Sequence, residues 1–413
     1  MSETPDPPPP APSEPVVEPA IETDDEQVDG GPIRVRLFGR TDVGQVREHN
    51  EDNFIVADLS RKTRGLLEGD RVQLVGPRGT LMAVCDGMGG AAAGEVASQL
   101  AVDIIYERMS EGDAPKDRDD IARRIVRSIE EAGSRIYSEA KADRSRRGMG
   151  TTSTVAALVD DHLFLGQVGD SRCYVLRNGK LVQVTRDQSL VNQLIEAGQL
   201  TEEEAETFEH NNIILQALGT SETVQVDLTY VHLRRGDIVM LCSDGLSGMM
   251  KSDELREVLA NAKDPLEACK TLTDRANQAG GHDNITCIVA TFEGAGLKKL
   301  DPAEGDLKYR KYTLPELRND ETTQPVRTAD LKLPPSSGHG GLKVANTMVG
   351  MSVKDIEAAL PPGTLRGDSG PQAGHDDPVD LPIPPTPPWM VALWLLIAIA
   401  IVGAAGFYLL RTS

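Results

Sequence analysis

The sequence predicts an α+β body in which antiparallel sheets carry helices as outer layers. Hairpin-linked strands are the first sign. β-rich runs follow one another through short turns, as in "VAALVD" then "HLFLGQVGD", and in "RCYVLRNGKLVQVT", where Asn178-Gly179 marks a two-residue hairpin. Long helical runs are the second, expected after Gly90 to about Met109, from about Arg118 to Lys141, and from Pro265 to Gln278. Further strands are read in "VQVDLTYVHL", "DIVMLCSD" and "NITCIVATF". Strands joined by hairpins pair antiparallel, which leaves the helices to cover the sheet faces. There is no internal repeat of roughly 20 to 50 residues, so a solenoid is excluded.

In chain order, residues 1–33 hold nine acids, no Lys or Arg, and many prolines, a composition too poor in apolar surface to order itself. Residues 34–294 form the globular body. Residues 295–388, with "KLPPSSGHGG" and "PQAGHDDPVDLPIPPTPP", read as a flexible linker, interrupted by a short helical signal in "SVKDIEAAL". Residues 389–410, "WMVALWLLIAIAIVGAAGFYLL", carry no charge. At about 1.5 Å per residue they reach roughly 33 Å, the thickness of a bilayer core, and are expected to be a transmembrane helix. With no signal peptide ahead of it, this segment predicts a tail anchor at the cytoplasmic membrane and a body in the cytoplasm. The positive-inside rule gives that orientation little support, because the near flank is acidic and Arg411 lies on the far side.

The chain carries a net charge of −21, and the body alone has 31 Lys and Arg against 42 Asp and Glu. Such a surface repels polyanions, which argues against a nucleic-acid partner and suits divalent metal. Five scattered cysteines, three of them (Cys85, Cys242 and Cys287) inside apolar runs, read as reduced core residues.

One stretch, "LMAVCDGMGGAAAGE" at residues 81–95, ends an apolar run in Asp-Gly and spends two more glycines before a helix. It lacks the Lys-Ser/Thr of a P-loop and the frame of a dinucleotide fingerprint. What remains is Asp86 at a strand exit, with Gly87 freeing a backbone carbonyl to point the same way. Asp244 in "LCSDG" and Asp283 in "GGHDNIT" occupy similar junctions. Asp170 in "VGDSR" and the pair Glu51, Asp52 in "VREHNEDNF" do so too. A single Asp after a strand is ordinarily a turn residue. Asp86, Asp244 and Asp283 brought together from strand ends would make a hard, oxygen-lined metal site, the three further acids at such junctions strengthen that reading, and Arg47 offers a guanidinium fork for phosphate.

The motifs "VREHNEDNF", "AVCDGMGGAAAGEVAS", "GMGTTSTVAAL", "GQVGDSRCYVLRNGKL", "TRDQSLVNQLIEAGQLTEEEA", "DIVMLCSDGLSGMM" and "GGHDNITCIVA" stand in one order over about residues 33–293. In that order they resemble the metal-dependent Ser/Thr protein phosphatases of type 2C, in their bacterial branch. The resemblance implies an α-β-β-α sandwich of two antiparallel sheets flanked by helices, with two Mg²⁺ or Mn²⁺ ions bridged by Asp86. Asp244 and Asp283 would lie on one ion and the Gly87 carbonyl on the other. Glu51 and Asp52 would orient metal-bound waters, Asp170 would join Asp244 at a third, weaker site, and Arg47 would hold the phosphate. Residues 186–216 match the family's mobile flap.

The implied chemistry is hydrolysis without a phosphoenzyme, since two cations make hydroxide available near neutral pH and neutralise the phosphoryl oxygens. Met88 and Ala91 stand where relatives may carry histidine, which leaves a metal-bound water or His49 to protonate the leaving alkoxide. Gln188 replaces the more frequent flap histidine. Arg144, Arg146 and Arg147 are candidates to guide acidic phosphopeptides, Thr322 and Thr323 candidates for phosphorylation, and the N-terminal prolines a candidate groove ligand. The expected activity is therefore dephosphorylation of phosphoserine and phosphothreonine proteins at a membrane, opposing a Ser/Thr kinase. The alternative from another class is a catalytically silent phosphoprotein-binding module, and a third is a hydrolase of small phosphate esters.

Overall fold

A computed structural model gives the architecture and describes residues 31–65, 72–89, 93–206, 208, 212–301 and 306–315. Two antiparallel sheets lie face to face. The six-stranded sheet runs in the order Lys180–Gln183, Arg172–Arg177, Ile238–Cys242, Ile285–Gly294, Ile33–Asp42, Val72–Leu74. The seven-stranded sheet runs Arg310–Lys311, Asp227–His232, His162–Val168, Ser153–Val159, Thr80–Cys85, Asn53–Asp58, Thr63–Arg64.

Three apolar layers fix this stacking. Between the sheets pack Val35, Leu37, Met82, Val84, Leu165, Val239, Leu241 and Phe292. Outside the seven-stranded sheet, helices Ala93–Ser110 and Arg118–Ala142 bury Ala97, Ala101, Ile105, Ile121, Ile125, Ile129 and Ile136. Outside the six-stranded sheet, helices Ser252–Asn261 and Pro265–Gln278 bury Leu255, Leu259, Cys269 and Leu272. Strands buried on both faces, such as Thr80–Cys85, read as continuous apolar runs because each face meets a different layer.

The three expected helices are present at Ala93–Ser110, Arg118–Ala142 and Pro265–Gln278, and the two N-caps are legible. Asp117 accepts from the Asp120 N–H and Asp264 from the Glu267 N–H, with Pro265 at the first turn of the last helix. The Asn178-Gly179 turn has both residues at positive φ (52° and 73°) and pairs Arg177 with Lys180, as a type I′ hairpin requires. Strand Ile33–Asp42, absent from the sequence reading, alternates buried and exposed residues from Ile33 to Leu37, a period-two signal that was available. All five cysteines are free and buried.

The body differs from the expectation at its C-terminal edge, because it continues past residue 294, where the linker was expected to begin. Leu297 and Leu314 are buried, Arg310–Lys311 pairs with Asp227–His232, and Tyr312 meets Phe164 and Tyr230 edge-on. Apolar residues spaced along polar sequence were enough to dock this segment. The rest of the expected linker, the N-terminal arm up to residue 30 and the apolar segment 389–410 lie outside the described residues. No described helix is long and apolar enough to cross a membrane.

Candidate active site

The sheets deliver their acids to one end of the sandwich. Thr80–Cys85 is wholly buried and ends at Asp86, where the next two residues leave to pair with Gly150–Thr151. The backbone of Asp86 is held on both sides. Its N–H donates to Thr152 Oγ1 (2.9 Å), and its carbonyl accepts from the Thr152 N–H (2.8 Å) and the Thr151 hydroxyl (2.8 Å). Gly87 is required for space: a Cβ there would lie 2.3 Å from the Gly94 carbonyl oxygen and 2.4 Å from that of Glu51.

The facing sheet supplies the partners. Ile238–Cys242 ends at Ser243, and Asp244 opens the short helix Asp244–Ser247. Asp283 follows Gly280-Gly281, both at positive φ, and precedes strand Ile285–Gly294. The Ser243 hydroxyl donates to Asp52 Oδ2 (2.7 Å) and accepts from the Thr286 N–H (3.0 Å). Asn284 pins the loop that carries Arg47, Glu51 and Asp52: its Nδ2 donates to the carbonyls of Val43 and His49 (2.9 Å each), and its Oδ1 accepts from the Glu51 N–H (2.8 Å). Arg47 donates to Asp283 Oδ2 at 2.7 Å.

Asp170 sits in the turn after His162–Val168. Next to it, the Gly169 N–H donates to Gln188 Oε1 (2.9 Å) and the Gln188 N–H donates to the Gly169 carbonyl (2.8 Å). The Arg172–Asp187 ion pair (2.6 Å) braces the same junction. Asp170, Arg172, Asp187, Asp244, Lys251 and Glu254 border a cleft of about 690 Å³. His49 is exposed, as are Arg144 and Arg147, while Arg146 is engaged by Glu139 (2.7 Å).

All eight residues expected at the site are thus brought together, and the electrostatics shows the crowding. Asp86, Asp170 and Asp244 each keep a face toward solvent, yet burial, then the neighbouring acids, raise all three carboxyls, Asp86 and Asp170 well above the ordinary range. Burial likewise pushes Asp52 up to about 7 against the hydrogen bonds of Thr286 and Ser243, with Asp244 and Asp283 adding to it. Glu51 is raised chiefly by burial. For Arg47 burial works against the cation, but Asp283, Glu51 and Asp86 outweigh it and its pKa is raised.

Asp52 Oδ1, Asp170 Oδ1 and Asp244 Oδ1 are buried without a hydrogen-bond partner. Buried carboxylate oxygens demand a partner, and an all-oxygen donor set meets the preference of a hard divalent cation such as Mg²⁺ or Mn²⁺. No three of these acids draw their oxygens within 4.8 Å of one another; among the described residues only Asp161, His162 and His232 reach that spacing. Unneutralised acids repel one another, and a hard cation tolerates waters in its shell, so wider spacing agrees with the fit.

Residues 59–285 match the family model for protein phosphatase 2C, more than half of the chain. The chain belongs to the protein phosphatase 2C family. The phosphatase is 35% identical over 250 residues to the serine/threonine phosphatase stp of Listeria monocytogenes, covering 60% of this chain and 93% of that one. It is also similar in structure to the Mycobacterium tuberculosis serine/threonine phosphatase PstP/Ppp, with a TM-score of 0.54 and 34% identity over 63% of this chain and 99% of that one. A structure of the PstP catalytic domain in complex with two manganese ions resembles it with a TM-score of 0.53 and 32% identity, over 63% and 99% of the two chains. Membership makes it a protein-serine/threonine phosphatase.

Asn284, Ser243 and Thr152 were missed by reading the sequence of the phosphatase. Each is a polar residue adjacent to an expected acid or, for Thr152, in the "GMGTT" motif. Sequence adjacency marked where they sit, while their partners lie far along the chain.

Proposed function

We propose that the phosphatase holds two divalent cations on Asp86, Asp244, Asp283 and the Gly87 carbonyl, with a third, weaker one on Asp170 and Asp244, and acts on phosphoproteins at a membrane in opposition to a Ser/Thr kinase. The observation that carries the catalytic part is the convergence of acids with unpartnered buried oxygens beside Arg47. Bound there, the cations supply Lewis acidity that makes hydroxide available near neutral pH and screens phosphoryl charge. The chain's own residues do the rest. Arg47, half-exposed, turns its guanidinium from Asp283 to grip the phosphate in a bidentate fork. Asp52 has one oxygen committed to Ser243 and one spare, so it orients a single water, and Glu51 orients another. Thr151 and Thr152 fix the backbone of Asp86, so that its carboxylate does not have to be reorganised when substrate arrives.

The membrane part is supported by the uncharged run Trp389 to Leu410. Anchored there, a flexible tether would raise the effective concentration of phosphatase toward phosphoproteins on the same surface, receptor kinases included. Two measurements test the proposal. Phosphate release from a phosphothreonine peptide by the full chain should vanish on chelation and return with Mn²⁺; peptide binding without release under any metal defeats the catalytic part. Deleting residues 389–413 should move the protein to the soluble fraction and slow only dephosphorylation of membrane-bound substrates. A full-length chain found soluble, or digested by protease outside intact cells, defeats the membrane part.

A further inference from the structure

The hairpin of Ser153–Val159 and His162–Val168 has one end at the acids and the other far from them. Seven residues at about 3.3 Å each put roughly 20 Å between Thr152, which holds Asp86, and the hairpin tip. At that tip Asp161 precedes His162, and His162 lies in register opposite His232, the last residue of strand Asp227–His232. The two imidazole rings are 4.1 Å apart between centroids. Asp161 Oδ1 is 2.6 Å from His162 Nδ1, and Oδ2 is 3.9 Å from His232 Nδ1. The Leu233 N–H donates to the Asp161 carbonyl (2.8 Å), so main-chain bonding holds the tip against the neighbouring strand.

One ligand atom from each of these three residues falls within 4.8 Å of the other two. His162 is only 3% exposed, and its Nε2 is buried without a hydrogen-bond partner. Nδ1 is the ring nitrogen that faces Asp161, so an ion held among the three residues would take Nδ1 in place of its proton. The side chain of His232 is 37% exposed, which gives a cation a way in from solvent.

We propose that Asp161, His162 and His232 form a second metal site, of two nitrogens and one oxygen, for a borderline divalent cation of the Zn²⁺ class. Two imidazoles select against Mg²⁺ and the other hard cations that suit the all-oxygen site. The protonation states favour binding. Burial, and then the Asp161 bond working against it, leave the His162 pKa below its usual value, so the ring is neutral, as a ligand must be. Burial opposes the Asp161 charge, but the hydrogen bond from His162 and the nearby imidazole of His232 outweigh it and hold the carboxyl far below its ordinary range. Arg177 does not compete, since its guanidinium is taken by Asp237 and the His232 carbonyl. A cation here would cross-link the hairpin tip to the end of the adjacent strand and leave its remaining position to water.

The test is Co²⁺ titration of the full chain in excess Mg²⁺, which fills the oxygen site. Four-coordinate Co²⁺ with imidazole ligands absorbs visible light far more strongly than six-coordinate Co²⁺ among oxygens. Wild type should take up one Co²⁺ with the intense band, and added Zn²⁺ should abolish it. His232→Ala should lose that equivalent while keeping its circular dichroism and phosphatase activity; His232→Gln serves if the alanine variant folds poorly. Asp244→Asn should keep the band, which separates this site from the catalytic one. Absence of an intense band in wild type, or the same stoichiometry and spectrum in the His232 variants, overturns the proposal and leaves the trio as a carboxylate–imidazole contact.

Discussion

Arg47 donates to Asp283 at 2.7 Å, so the cation expected to grip phosphate is engaged by an acid expected to hold metal. Both side chains are partly exposed, at 50% and 37%, and a pair of that kind is worth about 0–1 kcal/mol. Phosphate can therefore take the guanidinium over at little cost. Arg47→Ala should raise KM for phosphopeptide and lower kcat, with Tm and Mn²⁺ affinity little changed. Arg47→Lys should recover only part, since a point charge cannot form the fork. Unaltered steady-state kinetics would remove Arg47 from the site.

Asp86→Asn and Asp244→Asn should each lower phosphate release by more than about a thousandfold, which corresponds to roughly 4 kcal/mol of lost transition-state stabilisation. Each also removes one of a set of mutually repelling acids, so thermal unfolding in chelator should come no lower than wild type. Activity within tenfold of wild type and intact Mn²⁺ binding would reject the assignment.

Asp170→Ala should keep two tight Mn²⁺ ions by calorimetry and lose most of the rate if, as we propose, Asp170 serves the weaker site. Loss of a tight ion would mean that Asp170 belongs to the primary pair.

Metal-free protein should be more stable in mild acid than above neutrality. Asp52 is raised from 3.8 to about 7 in the folded chain. The folded state thus holds a proton that the unfolded chain releases, and the associated stability is complete below the unfolded value and lost as pH rises through about 7. Asp86, Asp170 and Asp244 are raised as well and act in the same direction. Calorimetric Tm in chelator should fall between pH 5 and pH 8, and saturating Mn²⁺ should flatten the profile. A rising Tm without metal would contradict the crowding.

Asn284→Ala should destabilise the fold by about 2–3 kcal/mol, since it leaves the Glu51 N–H and the carbonyls of Val43 and His49 without their partner. Because the same loop carries Glu51 and Asp52, the Mn²⁺ concentration for half-maximal activity should rise too. Urea unfolding and a metal titration read the two effects separately.

The acids were legible because the chemistry marks them locally. An acid at the end of an apolar run is visible within a few residues, and six at such junctions, three of them beside Gly, exceed what turns require. The helices were legible as long helical runs, and the structure adds their caps Asp117 and Asp264. Strand Ile33–Asp42 carries its signal in the alternation of Ile33 to Leu37. The segment after residue 294 resembles linker in sequence because its few apolar residues declare no partner there. Only the exposed flank of Asp227–His232 and the rings of Phe164 and Tyr230 make a place for Arg310–Lys311 and Tyr312.

By itself the sequence determined which residues could be ligands and which segments would be helix, hairpin or apolar run, because propensity, capping and turn chemistry act over a few positions. Tertiary structure decided what each acid feels. Asp52 has one oxygen taken by Ser243, Arg47 rests on Asp283, and Asn284 joins two loops more than two hundred residues apart in the chain. The register of His162 against His232 belongs to the same level. Such contacts depend on which strands become neighbours, and that is settled by how three apolar layers pack around two sheets, a property of the whole chain that no short stretch of it contains.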